Sequence, residues 1–159
     1  MISLVMDTSN SYLAVGLFQD NMCLEAFQEK GSRRQSEKAI PTLKEVLDRH
    51  HIALKDVNEM IITSGPGSYT GVRVAMTIAK TLAAVSDVRI KSVSSLAAYA
   101  GMSQALSVID ARGHKVFVGV YENGLPLIKE QVVTLEDFAQ LRAEYGDFEL
   151  VGEVGCLGL

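Results

Sequence analysis

Apolar and polar positions alternate from the first residues of the chain. Ile2 to Met6 reads as a short strand ending in the polar turn Asp7-Thr8-Ser9-Asn10-Ser11. Tyr12 to Phe18 is a second strand, with Leu13, Val15 and Leu17 alternating against Ala14, Gly16 and Phe18. Asp20-Asn21 supplies the next turn and Met22 to Phe27 a third strand, so the chain opens on an antiparallel meander. The period then lengthens. Ser36 starts a helix in which Ile40, Leu43 and Leu47 recur at helical spacing, fading near His50-His51. Val57 to Thr63 is a buried-type strand, and Gly65-Pro66-Gly67-Ser68-Tyr69-Thr70-Gly71 is a loop. Val72 to Val85 is helical, with Val72, Ala75, Met76, Ala79, Leu82 and Ala83 along one side. Val88 to Val93 is a further strand, and Ser94-Ser95 caps a helix running through Met102.

A second round of the same pattern follows. Leu106–Ile109, His114–Tyr121 and Leu125–Lys129 read as strands, Thr134–Tyr145 as a helix capped by Thr134, and Phe148–Val151 as a last strand. Residues 1–103 therefore spell βββαβαβα, and residues 104–159 restart as βββαβ. The repetition predicts a mixed α/β protein of two lobes, its sheets flanked by helices and its second lobe cut short.

Composition narrows the function. Of 159 residues, 48% are hydrophobic and 21% charged, enough for a real core. The formal charge of −4 argues against a general nucleic-acid-binding surface, which requires a cationic footprint. The one basic run, Lys30-Gly31-Ser32-Arg33-Arg34, reads as a solvated loop before a helix. Cys23 and Cys156 stand far apart and form no C-x-x-C pair, so buried thiols in a reducing cytoplasm are expected. No signal peptide and no membrane-length apolar stretch is present, so no membrane partner is expected.

Two loops could carry chemistry. Asp7, Thr8 and Ser9 place a carboxylate and hydroxyls in a turn able to hold a phosphate and a magnesium-bound water, although ordinary hairpin chemistry accounts for the same residues. Asp110-Ala111-Arg112-Gly113 mirrors that turn at the start of the second lobe; facing acidic turns would suit a nucleotide, and a plain hairpin is the alternative. The Gly65–Gly71 loop is spaced G-x-G-x-x-x-G, one residue longer than the dinucleotide fingerprint, and no G-K-[ST] occurs. It reads as a tight turn that brings the next helix close to something. No His pair or H-E-x-x-H supports a metal site, and no G-x-S-x-G supports a nucleophile.

The helix after Gly71 is small or apolar nearly all round. One face suits the sheet and another a partner helix; complete burial within the lobe is the alternative. The expected docking positions are Ile40, Leu43, Val46 and Leu47 on the first helix and Val72, Ala75, Met76, Ala79 and Ala83 on the second.

Met6-Asp7-Thr8-Ser9, Ser64-Gly65-Pro66-Gly67-Ser68-Tyr69-Thr70-Gly71-Val72-Arg73, Ser92-Val93-Ser94-Ser95-Leu96 and Val108-Ile109-Asp110-Ala111-Arg112 together resemble the TsaB (YeaZ) family across nearly the whole chain. The resemblance implies two ribonuclease-H-like lobes of the actin-like, Hsp70-like ATPase superfold. It implies a non-catalytic scaffold in the synthesis of threonylcarbamoyladenosine on tRNA. Its implied partners are a catalytic TsaD-type subunit and a TsaE-type ATPase, with a homodimer when alone and tRNA met only indirectly. It implies no catalytic residue and no metal of the chain's own, and no cofactor on its own, with ATP or ADP and magnesium open only within the complex. The alternative reading is an ATPase of the same superfold working through Asp7 and Asp110. Two departures stand out. Gln35-Ser36-Glu37 occupies the stretch where relatives commonly read His-Ser-Glu, and relatives continue for several tens of residues.

Overall fold

The structure is a computed structural model that describes residues 1–30 and 35–158. Most of the basic run lies outside those residues. The described chain divides into two compact units, Met1–Val93 and Ser94–Leu159.

In the first unit, β1 (Ile2–Asp7), β2 (Tyr12–Gln19) and β3 (Met22–Lys30) form the meander, closed at Asp20-Asn21 by two residues in the left-handed region. That conformation matches the twist of a two-residue hairpin, which Asp and Asn tolerate. Helix α1 (Gln35–Arg49) leads to β4 (Glu59–Thr63), helix α2 (Tyr69–Val85) and β5 (Arg89–Val93). β4 pairs parallel with β1 and β5 parallel with β4, giving the order β3-β2-β1-β4-β5. Period-two alternation sends Leu4, Met6, Leu13, Val15, Leu17, Met60 and Ile62 into one core with Ala39, Leu43, Val46, Leu47, Ala75 and Ala79 of the two helices.

The second unit repeats the plan through its first four strands: β6 (Ala105–Arg112), β7 (Lys115–Glu122), β8 (Leu125–Thr134) and β9 (Glu149–Gly152), ordered β8-β7-β6-β9. β9 runs parallel to β6, as β4 runs parallel to β1. Helix α4 (Leu135–Glu144) seats Phe138 on Leu106, Val108, Val116, Val118 and Val120. Helix α3 (Ser95–Ala100) seats Leu96 and Ala100 on Ala105, Ile109 and Tyr121. The sequence reading grouped α3 with the first lobe; in the structure it packs within the second unit. Each sheet is mixed and flanked by helices in the ribonuclease-H-like order, as expected.

Several boundaries differ from the sequence reading, three of them for identifiable local reasons. α2 begins at Tyr69, three residues early, because Ser68 is its N-cap and accepts from the Gly71 amide. β8 continues past Lys129 to Thr134: Lys129-Glu130-Gln131 breaks the apolar alternation, and the register shifts twice beside it. The Asp110–Gly113 turn is displaced, since β6 runs through a register shift to Arg112 and the chain reverses at Gly113-His114.

Candidate functional site

The polar turn after β1 is closed upon itself. Asp7 Oδ1 accepts from the Ser9 amide at 2.8 Å, from Ser9 Oγ at 2.6 Å and from Thr63 Oγ1 at 2.6 Å. Asp7 Oδ2 accepts from Asn10 Nδ2 at 3.4 Å. Thr8 and Ser9 are buried. Thr8 Oγ1 donates to the Gly71 carbonyl at 2.5 Å and accepts from the Ala75 amide at 3.2 Å. Asp7 Oδ1 and the Thr8 and Ser9 hydroxyls are therefore engaged by the fold, while Asp7 Oδ2 makes the longer contact with Asn10.

The glycine-rich loop explains why. The Ser68 amide donates to the Ser9 carbonyl at 2.8 Å. A Cβ on Gly67 would stand 2.3 Å from the Ser9 carbonyl oxygen, and one on Gly71 would stand 2.1 Å from that of Thr8. Only glycine lets the two backbones approach so closely. The close partner expected for this loop is thus the β1–β2 turn. Gly65 is buried, and Pro66 follows it through a cis bond. Ser68 caps the helix, and Tyr69, Thr70 and Arg73 emerge on its first turns, exposed.

That placement creates a surface. An apolar groove of about 380 Å³ runs between α1 and α2, lined by Ser36, Ile40, Tyr69, Thr70, Arg73, Val74, Thr77 and Ile78. Ile40 is 58% exposed and Tyr69 75% exposed. The Arg73 guanidinium lies 5.2 Å from the centre of the Tyr69 ring, and its Nη1 donates to Tyr69 Oη at 3.3 Å.

The docking positions expected from sequence are corrected by this geometry. Ile40 lines the groove. Leu43, Val46, Leu47, Ala75 and Ala79 are core residues of the first unit, and Val72, Met76 and Ala83 are half-buried. The apolar stripe seen in the sequence is the face that meets the sheet. A rotation of about 100° per residue carries Thr70, Arg73, Thr77 and Thr81 round to a different side. The sequence reading missed Ser36, Val74, Thr77 and Ile78 as groove residues. For Val74, Thr77 and Ile78 the available signal was their place on the expected helix off its apolar stripe, beside Arg73.

Asp110 lies in the second unit, exposed at the end of β6. Its amide donates to Glu153 Oε2 at 3.4 Å, and its Oδ1 accepts from the Arg112 amide at 2.8 Å. Burial pushes the Glu153 carboxyl up, and the nearby Asp110 charge adds to that. Among the described residues, no group of three His, Cys, Asp or Glu side chains stands close enough to hold a metal ion.

A family model described as tRNA N6-adenosine threonylcarbamoyltransferase (TsaD) matches residues 28–149. The tRNA threonylcarbamoyladenosine biosynthesis protein TsaB of Bacillus subtilis strain 168 is 33% identical over 153 residues, covering 91% of this chain and 67% of that protein. The Escherichia coli K12 protein of the same description is 31% identical over 132 residues, covering 77% and 57%. The solved structure of YeaZ from Pseudomonas aeruginosa superposes with a TM-score of 0.76 at 28% identity, covering 83% of this chain and 67% of that one. The chain thus spans about two thirds or less of the length of these relatives. With its G-P-G-S-Y-T-G-V-R block joining β4 to α2 against the β1–β2 turn, the chain belongs to the TsaB (YeaZ) family, within the wider family that the threonylcarbamoyltransferase model describes.

Proposed function

We propose that the chain is a non-catalytic scaffold subunit in the synthesis of threonylcarbamoyladenosine on tRNA, docking a TsaD-type catalytic subunit on the α1–α2 groove. The observation that carries this reading is the groove itself. Two helices bury one face against their own sheet and leave Ile40, Tyr69, Val74 and Ile78 along an open apolar channel. Such a channel suits a helix laid into it. The names of the relatives supply the pathway, and the engagement of Asp7 Oδ1 by Ser9 and Thr63 favours a supporting role over the ATPase alternative. A TsaE-type ATPase is a further member of the proposed assembly, and in the absence of partners a second copy would occupy the same surface. The formal charge of −4 makes contact with tRNA indirect. Among the described residues no helix is long and apolar enough to cross a membrane, and we place the assembly in the cytoplasm.

Reconstitution tests the reading. With the TsaD-type subunit, the TsaE-type ATPase, tRNA and the activated threonylcarbamoyl donor, modified adenosine should form only when this chain is added, and none should form with the chain alone. Equal product without the chain, or product from the chain alone, would overturn it.

A further inference from the structure

We infer that the α1–α2 groove takes an amphipathic helix whose edge carries a carboxylate against Arg73. The inference rests on the docking reading above and adds the chemistry of the docked segment. The argument is one of charge complementarity at an apolar channel. Helix α2 contains Arg73 and Lys80 and not one Asp or Glu in its 17 residues. Among the described residues, those lining the groove include a single cation, Arg73, and no acid. Among the described residues no carboxylate reaches ion-pair distance of the Arg73 guanidinium, whereas on α1 Lys38 pairs with Glu29, Lys44 with Asp48, and Arg49 with Glu25 and Glu45, and the exposed Glu37 does not reach Arg73.

Arg73 is also held ready. Its planar group lies against the Tyr69 ring and bonds its hydroxyl, which restricts the rotamers that a free arginine would lose on binding. The block serves that end in physical terms: Gly67 and Gly71 lock the loop to the β1–β2 turn, Ser68 caps the helix, and Tyr69 and Arg73 are then aimed outward on consecutive turns. A guanidinium fork at the mouth of an apolar groove selects a carboxylate over a neutral or basic group. A second copy laid α2 on α2 brings the same two cations and no carboxylate, so an acidic partner helix is the better occupant.

Calorimetric titration of the full chain with a TsaD-type subunit from the same organism tests this. The parent is compared with Arg73→Glu, Arg73→Gln and Ile40→Asp, each first checked to unfold at the parent's temperature. Arg73→Glu should weaken binding at least about tenfold. Arg73→Gln should weaken it less and remove part of the salt dependence of Kd. Ile40→Asp should abolish binding. If both Arg73 variants bind as the parent does while Ile40→Asp does not bind, the carboxylate is refuted and the docking reading stands. If Ile40→Asp also binds normally, the docking reading falls with it. Tighter binding by Arg73→Glu would mean a basic occupant and would likewise overturn the inference.

Discussion

Gly71 and Thr8 meet where neither can be exchanged cheaply. The Thr8 hydroxyl bridges the Gly71 carbonyl and the Ala75 amide, and the Thr8 carbonyl occupies the space of any Cβ on Gly71. Gly71→Ala should therefore destabilise the first unit by about 1–3 kcal/mol, the usual cost of forcing extra atoms into a packed site. Urea unfolding followed by circular dichroism checks this, and a loss below about 0.5 kcal/mol would show that the turn and loop part easily. Ala79 teaches a related lesson. Sequence placed it in the interface, but it is fully buried, so a charge there would break the core and say nothing about docking. Small size signalled close packing correctly; it did not reveal whether the neighbour was the chain's own sheet or another molecule.

Among the elements, the end of α1 is tied to β3 by an ion-paired cluster. Arg49 Nε and Nη2 both donate to the Glu25 carboxylate, at 3.0 and 2.5 Å, and His50 Nε2 lies 3.1 Å away. These contacts, the Arg49 hydrogen bond first among them, hold the Glu25 carboxyl down to about 2 from an ordinary 4.5. A carboxyl whose folded pKa is depressed stabilises the fold fully above its unfolded pKa, and that contribution disappears as pH falls through the folded value. The stability of the parent should therefore drop between pH 4.5 and 2 by more than that of Glu25→Gln. Melting temperatures across that window check it, and parallel pH profiles would show that the cluster is without thermodynamic weight. The cluster joins residues 24 apart in sequence, and no local pattern announced it. The strands and helices themselves were legible, because the switch from period two to period 3.6 is a local property. Their ends were less so. The start of α2 depends on a Ser68 cap that was read as loop, and the course of β8 depends on register shifts that charged residues conceal.

Taken whole, the chain shows the repeated architecture that its sequence pattern predicts, with the strand order β3-β2-β1-β4 of the first unit recurring as β8-β7-β6-β9 in the second. Alternation of side chains made the opening meander and the repeated βββαβ pattern readable, whereas the parallel placement of β4 beside β1 and of β9 beside β6 is long-range and was not. The candidate site was half legible. The motif residues Tyr69, Thr70 and Arg73 were singled out and do line the groove, as does Ile40. Of the remaining docking positions expected on the helices, Leu43, Val46, Leu47, Ala75 and Ala79 belong to the core and Val72, Met76 and Ala83 are half-buried, because an apolar stripe marks burial and carries no record of which surface performs it. The central claim is that the open channel between α1 and α2 is where a catalytic partner sits. Its most direct test is the mass in solution of an equimolar mixture of this chain with a TsaD-type subunit, measured by light scattering for the parent and for Ile40→Asp. Docking in the groove predicts the summed mass for the parent mixture and two separate species for the variant; a full-sized complex formed by Ile40→Asp would contradict it.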